Sequence, residues 1–127
     1  TFSDAGAHVG QIADASIQSH LIAYFCREKQ LLSLPEAVHM MTGRAANAWN
    51  LADRGVIREG AIADLNIFDP KTFGPEMPEV AFDLPAGARR LVQKAKGMKA
   101  TLVGGEVLIE GGEHTGALPG RLIRRRD

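Results

Sequence analysis

DRGVIREGAIADLNIFDP, residues 53–70, separates two halves of different texture. It holds two short β-prone runs, Gly55 to Arg58 and Ile62 to Phe68. Glu59-Gly60 reads as a tight turn between them, and Asp69-Pro70 ends the second run. In this reading Gly55 and Gly60 relieve turns, and Ile57, Ile62, Leu65 and Ile67 face a core. Asp64 is expected to hydrogen-bond local backbone. A structural account suffices at every position, so the stretch is assigned no catalytic role.

Upstream the pattern is helical. From about Gln11 to Gln30, Ile17, Leu21, Tyr24 and Phe25 recur at helical spacing. SLPEAVHMMTG, residues 33–43, opens with Ser33 and Glu36 in the S-x-x-E arrangement of a capping box. Pro35 falls in the first turn, where no intrahelical donor is needed. Gly43 reads as a C-terminal stop, with a short further helix through Trp49.

Downstream the chain is strand-like. Residues 70–87 hold four of the six prolines and predict an ordered irregular crossover anchored by Phe73, Val80, Phe82 and Leu84. ARRLVQKAKG adds a helical turn or a strand. MKATLVGGEVLIEGG, residues 98–112, reads as a hairpin, because Gly104-Gly105 suits the positive φ values of a type I′ turn. A last short strand is expected around Leu122 and Ile123.

The 127 residues, 45% hydrophobic and 24% charged with zero formal net charge, fit ordinary globular protein and no general affinity for nucleic acid or anionic membrane. Arg124, Arg125 and Arg126 read as a solvated tail. Cys26 is the one cysteine, so no internal disulfide can form. It reads as a buried inert thiol in a reducing, cytoplasmic setting. No apolar run nears the roughly 20 residues of a membrane span. No signal peptide or initiator Met opens the chain, and Thr1 is expected to be an interior residue of a longer protein.

SDAGAH, residues 3–8, holds the candidate chemistry. A D-x-x-x-H pair in a loop has a structural reading, with Asp capping a turn and His bonded to backbone. Its functional reading is a general base beside an imidazole. A carboxylate near a bound metal can take a proton from the metal's water and pass it to a leaving amine. Such a base belongs at the C-terminal end of a barrel strand, with Phe2 and Ser3 as that strand's end.

Together with LPEAVHMMTGRAANAWNLADRGVIREGAIADLNIFDP, FDLPAGARRLVQKAKG, ATLVGGEV and GEHTGALPGRLIRR, this motif resembles the C-terminal end of the metal-dependent amidohydrolases. The narrower segments FDLPAGARR and HTGALPGR resemble the N-acyl-D-amino-acid deacylase branch. The resemblance implies a (β/α)₈ barrel holding one or two divalent metals, usually zinc, and a small β-sandwich built from both chain ends. It implies that residues 1–54 are the end of the catalytic barrel, strand 8 and its trailing helices. Residues 55–127 would be the C-terminal share of the sandwich.

Asp4 occupies the position of the family's acid/base and is the one candidate metal ligand here. Ser3, Gly6 and His8 fall in the rest of the motif and are expected to support it or contact substrate. The metal ligands of the family come from earlier strands, and His20, His39 and His114 do not sit in ligand motifs. The implied activity is hydrolysis of a non-peptide C–N amide bond, deacylating N-acyl-D-amino acids. The alternatives are a cyclic-amide hydrolase of hydantoinase or dihydroorotase type, or a non-catalytic β-rich interaction module. The expected partners are a small N-acyl amino acid, and either the missing N-terminal part or a second copy. By itself this stretch is expected to be inactive and sticky, since each barrel-facing Leu, Ile or Phe left uncovered forgoes roughly 1.5–3 kcal/mol of burial.

Overall fold

The computed structural model describes residues 14–123. Helices come first and strands second. A 3₁₀ turn, Asp14–Ser16, leads into α1, Ile17–His20, which widens without a break into a π-helical segment, Leu21–Glu28. The wider pitch shows in the bond that closes it, the Lys29 amide donating to the Tyr24 carbonyl at 2.8 Å, and beyond the end the Leu31 amide reaches back to the Phe25 carbonyl at 2.9 Å. α2, Leu34–Met41, and α3, Gly43–Ala48, follow.

The capping box at α2 forms as the sequence indicates. The Glu36 amide donates to Ser33 Oγ at 3.4 Å, and the Ser33 amide and hydroxyl donate to Glu36 Oε2 at 2.9 and 2.6 Å. The Ser33 bonds hold the Glu36 carboxyl below its ordinary pKa. Ser33→Ala is expected to lower stability by about 1 kcal/mol at neutral pH, read from the urea midpoint. A group whose pKa falls on folding contributes above its unfolded pKa, about 4.3 for Glu, and loses that contribution as pH falls through the lower folded value. The Ser33→Ala effect should therefore shrink on acidification.

Gly43 departs from its expected role. It does not stop α2 in a left-handed conformation. It opens α3, and a Cβ there would meet His39 Nδ1 at 2.9 Å and the Gly55 carbonyl at 3.4 Å.

Eight short strands follow: β1 Leu65–Phe68, β2 Gly74–Pro75, β3 Glu79–Ala81, β4 Arg90–Val92, β5 Ala95–Lys96, β6 Met98–Val103, β7 Glu106–Glu110 and β8 Glu113–His114. β1-β6-β7-β8 form an antiparallel sheet; β2 pairs with β5 and β3 with β4. The β6–β7 hairpin turns on Gly104 and Gly105 at φ 59° and 86°, as a type I′ turn demands. ARRLVQKAKG resolves as strand, supplying β4 and β5.

Four expectations fail for one physical reason: a strand or an anchor needs a partner surface that local sequence does not reveal. Gly55 to Arg58 is not a strand. Nothing pairs with it, Ile57 is 90% exposed, and the segment is tied instead by Arg58 Nη2 donating to Ala52 O at 2.8 Å. Ile62 and Ile67 do not face a core; Ile62 is exposed ahead of β1, and Ile67 lies half exposed on β1, which has one neighbour among the described strands. Of the expected crossover anchors only Phe73 is buried, while Val80, Phe82 and Leu84 are exposed. No strand forms at residues 121–123, and the chain's last described strand is β8.

The core lies where the helices meet the root of the crossover. Ile22, Ala37 and Phe73 are buried there, with Leu21, Cys26, Leu34, Met41, Phe68, Ala95 and Met98 packed around them. The Phe68 and Phe73 rings lie 4.6 Å apart at 35°. Burying each such side chain is worth roughly 1.5–3 kcal/mol. Trp49, Met77 and Leu118 are 77%, 83% and 86% exposed. No described helix is long and apolar enough to cross a membrane.

Candidate functional site

Ser3, Asp4, Gly6 and His8 lie outside the described residues. In sequence, the next described residues are the helical run that starts at Asp14, which Arg27 ties to the crossover.

Arg27 is the first connector. Its Nη1 donates to the carbonyls of Pro70 at 3.2 Å and Phe73 at 2.7 Å, joining the end of the helical run to the start of the crossover. Gly74 is buried beneath it, because a Cβ there would meet Ala23 Cβ at 3.1 Å and Arg27 Nη2 at 3.5 Å. An open groove of about 430 Å³ runs beside this contact, lined by His20, Ala23, Tyr24, Arg27, Glu28 and Pro75. His20 stacks on Tyr24 at 5.1 Å and 13°, Phe25 meets Tyr24 edge-on, and Lys29 Nζ stands 5.2 Å from the centre of the Tyr24 ring. These contacts are a helix surface packing its own rings. They bring no base to a nucleophile.

Arg54 is the second connector. Its Nη1 donates to Asp64 Oδ2 at 2.6 Å and its Nε to Asp53 Oδ1 at 3.1 Å. Asp64 Oδ1 in turn accepts from the Gly104 amide at 2.9 Å, and the Gly105 amide donates to the Ala63 carbonyl at 3.0 Å. Asp64 therefore does not bond local backbone, as its sequence context suggests. It bonds a hairpin turn far along the chain and fastens the 53–64 loop to the β6–β7 sheet. Asp64→Ala and Arg54→Met are each expected to cost about 2 kcal/mol, since hydrogen bonds to charged groups are worth roughly 1.5–3 kcal/mol. The double variant should lose less than the sum, with a coupling of about 1 kcal/mol, because the two act in one network. Urea unfolding of the four proteins checks this.

The remaining candidates stay structural. His20 and His39 are exposed on helices. His114 lies in β8, and its Nδ1 accepts from the Gly116 amide at 2.9 Å. Cys26 is half-buried, not fully buried. Burial first, and the Glu36 carboxylate second, raise its thiol pKa and keep it a poor nucleophile. Arg90 beside Asp83 and the Lys71 amide beside Asp69 hold those two carboxyls below the ordinary range, again without a cavity around them. Among the described residues no group of three or more His, Cys, Asp or Glu could hold a metal ion. Those residues therefore do not fit a divalent metal.

The anchoring roles of Arg27 and Arg54 are structural. No spacing in the sequence announces Arg27. Arg54 had one signal, its place beside Asp53 in the 53–70 stretch.

Comparison with known proteins adds what geometry alone does not. A family described as the amidohydrolase family matches residues 3–109, which include Ser3, Asp4, Gly6 and His8. The chain is 36% identical over 110 residues to an N-acyl-D-aspartate deacylase of Alcaligenes xylosoxydans xylosoxydans, and 30% identical over 105 residues to a D-aminoacylase of the same organism. These matches take in 86% and 83% of this chain but 20% of each relative, so the chain spans about a fifth of their length. A crystal structure of D-aminoacylase superposes with a TM-score of 0.68 at 30% identity, over 85% of this chain and 21% of that one. A further D-aminoacylase structure, matching equally well, concerns the functional role of a binuclear metal centre in that enzyme, with one-metal activation and second-metal attenuation.

Proposed function

The chain belongs to the amidohydrolase family, and on that premise we propose that it forms the C-terminal part of a metal-dependent deacylase of N-acyl-D-amino acids. The observation that carries the reading is the deacylase identity shared by relatives 30–36% identical across most of this chain. The split of the described fold supports the proposed division. Its α- and π-helical segments fall in residues 17–48, within the proposed barrel end 1–54, and its strands in 65–114, within the proposed sandwich portion 55–127, where the one further helical element is a 3₁₀ turn at Pro85–Gly87.

Asp4 is the proposed acid/base. Its carboxylate takes the proton of the attacking water, the oxygen bonds to the acyl carbon, and the proton passes to nitrogen as the C–N bond breaks. The products are a carboxylic acid and a free amino acid. Ser3, Gly6 and His8 would shape the loop that presents Asp4. Zinc is the proposed metal. The described residues offer it no ligand set, so beyond Asp4, the one candidate here, its ligands would come from the rest of the parent protein. A cytoplasmic setting agrees with the single cysteine.

The test uses the protein at the length of its relatives. N-acetyl-D-amino acids should be hydrolysed, the L-enantiomers should not, and elemental analysis should find zinc at one or two equivalents. A protein that holds no metal and leaves every N-acyl-D-amino acid intact overturns the reading.

A further inference from the structure

We draw no further inference here: the strongest candidate, the open groove along the π-helical segment between Tyr24 and Pro75, carries nothing, because its rings pack on one another, Arg27 is engaged by the Pro70 and Phe73 carbonyls, and nothing in the structure shows what occupies it.

Discussion

Replacing Asp4 by Asn in the parent-length protein is expected to lower kcat about 10²–10⁴-fold with little change in KM, the loss typical of removing a general acid/base. Asn keeps the size and the hydrogen-bonding oxygen of Asp and cannot carry the transferred proton. A residue that merely shaped the loop would tolerate the exchange. The acidic limb of the kcat/KM profile should vanish with the carboxylate, since that limb reports ionisation of the base in the free enzyme. His8→Gln should cost less, because the proposed role of His8 is to support Asp4 or touch substrate. Steady-state kinetics against an N-acetyl-D-amino acid decides the matter. Wild-type kcat in the Asn variant removes Asp4 from the mechanism.

The second large effect concerns folding. Gly97→Ala is expected to lower stability by about 2–5 kcal/mol, combining a left-handed backbone penalty with overpacking. Gly97 sits at φ 79°, and its carbonyl accepts from the Asp69 amide at 2.9 Å, fixing the approach of β5–β6 to the end of β1. A Cβ there would lie 2.6 Å from the Phe73 nitrogen, 2.7 Å from Thr72 Oγ1 and 2.8 Å from Phe73 Cα. Two of those atoms are backbone beside a core side chain and cannot swing away. Gly60→Ala separates the two contributions. Gly60 has nearly the same φ, 80°, yet nothing lies within 4 Å of its Cβ position. It should cost only the conformational part, about 1–2 kcal/mol. Urea midpoints of the two variants measure the difference, and equal losses would show that the close contact at Gly97 relaxes freely.

The locally encoded elements were legible. Ser33 and Glu36 are three residues apart and satisfy each other's amides, so the start of α2 needs nothing beyond its own sequence. Gly104-Gly105 supplies two positive φ values between runs of β-formers, and the β6–β7 hairpin follows. The family likeness was legible, and the comparisons uphold it for the chain; the candidate site is a motif, SDAGAH, that lies outside the described residues. The role of each motif residue was not legible in the same way, because a proton-transfer role depends on what stands opposite the carboxylate.

The elements that misled depended on partners distant in sequence. Gly55 to Arg58 has the composition of a strand and no neighbour to pair with. Val80, Phe82 and Leu84 have the composition of anchors and are left exposed. Asp64 looks like a turn residue and bonds the Gly104 amide.

Sequence by itself therefore determined where α2 starts, where the hairpin turns and which family the chain resembles, because those follow from short-range hydrogen bonds, φ preferences and motif identity. Tertiary structure alone decided which apolar side chains are covered, which strands pair and which carboxylate fastens loop to sheet. Burial and pairing are properties of two surfaces, and a single stretch of sequence specifies only one of them.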